Sequence, residues 1–97
     1  MRRTKIVATV GPASRTPEML SQLMEAGVDI CRLNFSHGTQ AEHGESLRRI
    51  RELEERRGRP APVLQDLAGP KIRIGCIKEG GIILNSGDTF IMAGANV

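Results

Sequence analysis

The residues of this chain that are best suited to chemistry follow three short apolar runs, at the point where each run ends. Thr9 lies at the end of the first run, Arg32 and Asn34 at the end of the second, and Asp66 at the end of the third. A guanidinium group donates two parallel hydrogen bonds and so suits phosphate, whereas carboxylate, amide and hydroxyl oxygens suit a hard cation. The sequence therefore indicates a site for an anion and a cation, provided that the three run ends meet in the fold.

An ordinary structural role is an alternative for each of these residues. Arg32 is equally suited to pairing with a nearby carboxylate at the surface. Asn34 and Ser36 can instead satisfy backbone groups of a turn, and spacing alone favours that interpretation over cation binding. His37 has no identifiable partner for proton transfer, so a hydrogen-bonding brace suits it better, and His43 is expected to pack or to form hydrogen bonds along a helix. Residue types alone leave the choice open.

The elements that must position these residues alternate between strands and helices. In chain order, the predicted elements are residues 5–10, 17–26, 28–34, about 40–57, and 62–66. Thr16 and Pro17 suit the start of the first helix and Gly27 its end, because a hydroxyl caps free N–H groups and glycine adopts the left-handed backbone of a helix terminus. The order β-α-β-α-β is typical of right-handed parallel crossovers. An α/β fold follows, with its site at the carboxyl ends of the strands.

Apolar spacing predicts which faces of these elements are buried. The first strand is nearly continuously apolar, as in a strand that is covered on both faces. In the second strand the alternation places Val28, Ile30, Arg32 and Asn34 on one face, and on the other Asp29, Cys31, Leu33 and Phe35. The helix residues expected to face inward are Met19, Leu20, Leu23, Met24, Leu47, Ile50 and Leu53.

The character of the chain changes after Asp66. Glycine recurs there, and residues 82–84 and 89–92 are predicted to form strands joined by a turn at residues 85–88. This pattern is typical of antiparallel sheet, and it predicts a second domain that is incomplete at Val97. The predicted domains are residues 1–68 and residues 69–97.

Composition narrows the possible classes of function. The 97 residues carry a formal net charge of +3 at pH 7, and the arginines of residues 48–59 are interleaved with glutamates. On a helix such mixed charge indicates a solvated face, and with Phe35 and Phe90 as the only aromatic residues, base stacking is poorly supplied. Cys31 and Cys76 form neither a disulfide pattern nor a metal-binding pair, and no run suits a signal peptide or a membrane span. A cytoplasmic protein without nucleic-acid or membrane partners is expected.

Three motifs, taken in order, resemble the amino-terminal part of pyruvate kinase. They are residues 4–14, residues 31–38 and residues 66–73, with Ala26-Gly27 between the first two. The resemblance covers nearly the whole chain. It implies that residues 1–68 form the first β-α-β-α-β units of a TIM (β/α)8 barrel, and that residues 69–97 begin a small inserted all-β domain.

The resemblance also implies a reaction and a set of site residues. The reaction is phosphoryl transfer from phosphoenolpyruvate to ADP, giving pyruvate and ATP with the help of Mg²⁺. Arg32 matches the arginine that contacts the transferring phosphate. The residues that match the nucleotide-binding positions are Asn34, Phe35, Ser36, His37, Arg73, Thr9 and Pro12. Those that match a monovalent-cation site are Asn34, Ser36, Asp66 and, through its main-chain carbonyl, Leu67.

One departure from the common family pattern concerns the cation. The third motif is often Asp-Thr-Lys-Gly-Pro-Glu-Ile-Arg, whereas this chain has Lys71 at the position of the glutamate. A tethered ammonium supplies the positive charge that K⁺ otherwise provides, and it repels K⁺ itself. We therefore expect an enzyme that is active without added K⁺.

By the resemblance, the electrophilic lysine and the carboxylates that bind Mg²⁺ lie after Val97, so the chain alone is expected to be inactive. The resemblance also implies that the full-length protein is a homotetramer.

Two alternatives to an active enzyme remain open. The chain could instead be a catalytically dead fragment or truncated paralogue, acting as a phosphate-binding or assembly module. A basic nucleic-acid module is a third interpretation, and it predicts salt-sensitive binding to DNA.

Overall fold

Three short runs of β-branched and apolar residues form the strands of one parallel sheet. The computed structural model of the chain describes residues 3–94. Its strands are β1 (Val7–Thr9), β2 (Ile30–Asn34) and β3 (Val63–Asp66). β2 lies in the centre, with Thr9 opposite Arg32 and Asn34 opposite Asp66. The carboxyl ends of the three strands therefore lie side by side, and the predicted order of elements is confirmed, although each strand is shorter than predicted.

Both helices have the bounds that the sequence predicts. They are α1 (Pro17–Ala26) and α2 (Gln40–Arg57). The Thr16 hydroxyl accepts a hydrogen bond from the Met19 N–H at 3.3 Å, and Gly27 ends α1 with a left-handed φ of 111°. Within the described part of the chain, neither helix is both long enough and apolar enough to span a membrane.

The core lies between one face of the sheet and the two helices. The fully buried side chains are Leu20 on α1 and Ile50 on α2, and they pack with Cys31 and Leu33 of β2. The predicted alternation along β2 is thereby confirmed. Burial also raises the pKa of the Cys31 thiol.

Two helix residues predicted to face inward are exposed instead. Met19 and Leu47 are 39% and 37% exposed, whereas Ser46 is buried. The buried residues of α2 are Ser46, Ile50 and Leu53, spaced by four and three positions, so they share one stripe of the helix. Leu47 lies beside that stripe, so its side chain is exposed although it is large and apolar.

The second face of the sheet is open in the described residues. Ile6, Val7 and Leu64 are between 42% and 48% exposed. The prediction that the first strand is covered on both faces is therefore not met within residues 3–94, because both helices pack on the same face. The structure shows an α/β unit of three parallel strands and two helices.

The segment after β3 forms the predicted turn but not the predicted strands. The Asp88 N–H donates to the Asn85 carbonyl at 3.1 Å, and the Asn85 N–H donates to the Asp88 carboxylate at 2.8 Å. Residues 82–84 and 89–92 form no strand, and every side chain from 71 to 94 is exposed. A two-stranded hairpin is marginal unless further strands or a core cover it, and none of the described residues does so. The domain division at residue 69 stays a prediction.

Candidate functional site

Arg32 joins the carboxyl ends of all three strands. Its Nη1 donates to Thr9 Oγ1 at 2.8 Å, and its Nε donates to Asp66 Oδ2 at 3.1 Å. Its Nη2 forms an ion pair with the same carboxylate oxygen. Because β2 lies between β1 and β3, one guanidinium spans the edge of the sheet. The three run ends therefore meet, as the sequence predicted.

The Arg32–Asp66 pair is only partly withdrawn from solvent. The two side chains are 30% and 42% exposed. Ion pairs with this much solvent contact contribute little net stability, typically about 0–1 kcal/mol. The pairing with a carboxylate that the sequence left open is thus present, and its weakness means that an anion with several oxygens can compete for the guanidinium.

The segment after β2 forms a tight turn. The Asn34 Oδ1 accepts a hydrogen bond from the Ser36 N–H at 3.1 Å, and the Asn34 carbonyl accepts one from the His37 N–H at 3.2 Å. This is the local turn network that spacing alone favoured for Asn34. The side chain of Asn34 therefore shapes the turn.

Lys71 reaches the same turn from the segment after β3. Its Nζ donates to Ser36 Oγ at 3.2 Å. Among the four groups matched to a monovalent-cation site, Asn34 Oδ1, Ser36 Oγ and Asp66 Oδ2 thus have partners within the chain. Across residues 3–94, no three His, Cys, Asp or Glu side chains are grouped so as to hold a metal ion. The structure thus places the Lys71 ammonium at one of the atoms matched to the cation site.

An open cleft of about 420 Å³ lies beside the turn. Four of the predicted nucleotide-binding residues line it, namely Thr9, Pro12, Asn34 and His37. This volume is within the range of small-molecule sites, which is roughly 300–1,000 Å³. The structure therefore brings the loop after β1 and the turn after β2 to one cavity.

The other three predicted nucleotide-binding residues do not line this cleft. Phe35 packs against the core and stacks on His43, and Ser36 faces Lys71. Arg73 lies in the exposed segment after β3. The roles predicted for these three residues remain predictions.

Three ionisable residues that line the cleft were not identified from the sequence as site residues: Arg15, Glu42 and His43. Arg15 Nη1 donates to Glu42 Oε1 at 3.2 Å, and Glu42 Oε2 accepts from the Thr39 N–H at 2.8 Å. These contacts, with the Thr39 backbone N–H the larger, lower the pKa of Glu42. The signal for Glu42 was local, since a threonine followed three residues later by a glutamate is a capping box at a helix start.

Replacing Glu42 with glutamine should change how stability depends on pH. The folded pKa of Glu42 lies below its ordinary value of 4.5, so the carboxylate stabilises the fold above that pH. This contribution is lost as the pH falls through the folded pKa. Glutamine still accepts the hydrogen bond from Thr39 but carries no charge to pair with Arg15. We expect the parent to be more stable than Glu42→Gln near neutral pH, and the difference to disappear in acid.

Denaturant unfolding of the parent and of Glu42→Gln, near pH 7 and near pH 3, measures this difference in the free energy of unfolding. Glu55→Gln is the matched control, since Glu55 is exposed near the other end of α2. A stability difference of equal size at both pH values would contradict the role given to the Glu42 charge.

Comparison with known proteins identifies the family. Residues 1–96 match the family model described as the pyruvate kinase barrel domain. A pyruvate kinase of Agrobacterium vitis is 58% identical over 89 residues, which cover 92% of this chain and 18% of that protein. Those of Chlamydia muridarum and Geobacillus stearothermophilus are 43% and 46% identical, over 98% and 99% of this chain and 20% and 16% of theirs. This chain spans a fifth or less of the length of these relatives. The resemblance seen in the three motifs is confirmed, and the chain belongs to the pyruvate kinase family.

Proposed function

We propose that this chain is the amino-terminal part of an enzyme that transfers the phosphoryl group of phosphoenolpyruvate to ADP, giving pyruvate and ATP. The observation that carries the proposal is the position of Arg32, which spans Thr9 and Asp66 at the carboxyl edge of the sheet. The cleft lined by Thr9 and Asn34 lies at the same edge. Active sites of (β/α)8 barrels lie at this end of the strands.

Arg32 is proposed to bind the phosphate that is transferred. During phosphoryl transfer, negative charge is spread over the three equatorial oxygens of the phosphoryl group. A guanidinium fork stabilises this charge through two parallel hydrogen bonds, and the stabilisation is greatest where water is excluded. Binding requires Arg32 to exchange part of its contact with Asp66 for phosphate oxygens. The partial exposure of that ion pair makes the exchange inexpensive.

The cleft beside Arg32 is proposed to receive the nucleotide. Thr9 and Pro12 form the wall that follows β1, and Asn34 and His37 form the wall that follows β2. Phe35 and Ser36 act here through the shape of the turn. Arg73 is assigned to the nucleotide by the family resemblance. Mg²⁺, when bound, supplies positive charge at the phosphate oxygens, and by the same resemblance its ligands lie outside residues 1–97.

Lys71 is proposed to take the place of a monovalent cation. Its ammonium already contacts Ser36 Oγ, one of the atoms matched to the cation site. A K⁺ ion bound to Ser36 Oγ would lie beside this ammonium and would be repelled by it, so the residues present do not fit a bound K⁺ ion. The proposed enzyme is therefore active without added K⁺. The full-length assembly proposed from the resemblance is a homotetramer.

The proposal is tested by assaying the full-length protein that contains this chain. Phosphoenolpyruvate and ADP should yield pyruvate and ATP in equal amounts, with pyruvate measured through coupled reduction by lactate dehydrogenase. Residues 1–97 alone are expected to give no turnover, because the electrophilic lysine and the Mg²⁺-binding carboxylates are assigned to later strands. Pyruvate formation by residues 1–97 alone would contradict that assignment. An inactive full-length protein would instead favour the catalytically dead paralogue.

A further inference from the structure

The turn after β2 is held from outside by a side chain of α2. The rings of Phe35 and His43 stack with their centroids 4.4 Å apart and an angle of 11° between their planes. His43 Nε2 lies 2.6 Å from the His37 carbonyl oxygen. Because a carbonyl oxygen only accepts hydrogen bonds, this contact requires the proton of His43 to be on Nε2. One imidazole thus contacts the turn at two points.

Close approach between the turn and α2 makes these contacts possible. Gly38 has a φ of +75°, and a Cβ atom there would lie 3.1 Å from Glu42 Oε2 and 3.4 Å from His43 Nε2. Such a contact is too close without a shift of the turn or of the helix side chains, and the positive φ strains any larger residue. Gly38 therefore allows the turn to approach α2 closely enough for His43 to reach the His37 carbonyl.

We infer that His43 is a positioning residue for the nucleotide cleft. It fixes the His37 carbonyl and the Phe35 ring, and thereby sets the position of the wall formed by Asn34 and His37. The inference rests on the proposed function, since it takes the ligand of the cleft to be a nucleoside diphosphate. The contact that carries this role is the hydrogen bond from His43 to the His37 carbonyl. If His43 served only for packing, its stack on Phe35 would be sufficient.

The effect of His43 should be selective for one substrate. Arg32, the proposed phosphate contact, is held by hydrogen bonds to Thr9 and Asp66. These hydrogen bonds do not involve His43. A shift of the turn after β2 therefore changes the nucleotide wall and leaves the phosphate contact in place. A general loss of packing would weaken the binding of both substrates together.

Two variants of the full-length protein separate the two contacts of His43. His43→Phe keeps an aromatic ring to stack on Phe35 and removes the donor, whereas His43→Gln keeps an amide donor near the position of Nε2 and removes the ring. We expect His43→Phe to raise the dissociation constant and the KM for ADP about five- to tenfold, with the KM for phosphoenolpyruvate changed by less than about twofold. His43→Gln should restore ADP binding to within about threefold of the parent.

Amide hydrogen exchange adds a readout at the turn itself. The N–H groups of Ser36 and His37, which are bonded to Asn34, should exchange faster in His43→Phe than in His43→Gln. An unchanged ADP dissociation constant in His43→Phe would overturn the inference. An equal loss for both substrates, or a His43→Gln variant as weak as His43→Phe, would also overturn it.

The test remains decisive if His43→Phe does not fold. Gly38→Ala strains the left-handed backbone of the turn and places a methyl group against Glu42 and His43, so it disturbs the contact between the turn and α2 while His43 is kept. It should give the same selective loss of ADP binding; normal ADP binding by Gly38→Ala would overturn the inference. Calorimetric titration with ADP does not depend on turnover. A failure of the proposed function therefore shows in the turnover of the parent, and a failure of this inference shows in the dissociation constants of the variants.

Discussion

Replacing Arg32 with alanine in the full-length protein is expected to lower kcat by a factor of about 10³ and to leave the fold in place. The guanidinium is the group proposed to stabilise charge on the transferring phosphoryl oxygens, and no other described side chain joins the three strand ends. Its structural contribution is smaller. The ion pair with Asp66 is partly exposed, so its loss should cost on the order of 1 kcal/mol of unfolding free energy.

Two further variants separate charge from geometry. Arg32→Lys keeps a positive charge but loses the planar fork, and it should recover only a small part of the lost turnover. Arg48→Ala is the matched control, because Arg48 forms ion pairs with Glu45 and Glu52 on the exposed side of α2 and should leave turnover unchanged. Steady-state kinetics combined with denaturant unfolding make the comparison. Near-normal kcat in Arg32→Ala would remove the proposed role of Arg32.

The elements that the sequence predicts best are those with local signals at both ends. α1 begins after Thr16 and ends at Gly27, as predicted, and α2 ends at residue 57, its predicted bound, where Gly58 has a left-handed backbone. Caps and left-handed glycines act within a few residues of the helix terminus, so they can be read without knowledge of the rest of the fold. Parallel pairing then follows from the order of the elements, and with it the meeting of the three run ends.

The side-chain partners within the site could not be predicted in the same way. Arg32 forms hydrogen bonds to residues that are 23 and 34 positions away in the chain. As a residue type, arginine is suited equally to a carboxylate partner and to a bound anion. The cleft residues Arg15 and His43 belong to different elements, and their proximity depends on how α2 packs against the loop after β1. Sequence spacing reports neighbours along one helix or strand, not neighbours across two elements.

The strands predicted at residues 82–84 and 89–92 fail for a related reason. Their alternation and their turn residues suit a hairpin, and the turn between them does form. An apolar pattern predicts a strand only where other residues bury its apolar face, and Ile83 and Ile91 are 88% and 83% exposed. Local pattern therefore gives the turn, whereas the strands depend on partners that the described residues do not supply.

Replacing Lys71 with glutamate is expected to make the proposed K⁺-independent enzyme dependent on K⁺. In K⁺-free buffer, kcat should fall by a factor of about 10², because the variant replaces a positive charge near the phosphate site with a negative one. Added K⁺ should restore most of this loss, since the new carboxylate and the Ser36 hydroxyl, which no longer contacts an ammonium, are then available to a cation.

Two controls separate the site from a general change of charge. Lys71→Gln removes the ammonium without adding a carboxylate, so its activity should fall and should recover less with K⁺ than that of Lys71→Glu. Lys78→Glu makes the same charge change in the same exposed segment, and it should remain active without K⁺. A parent enzyme that strictly requires K⁺ would contradict the role of Lys71. Full activity of Lys71→Glu without K⁺ would contradict it equally, because the ammonium would then contribute nothing that the cation supplies.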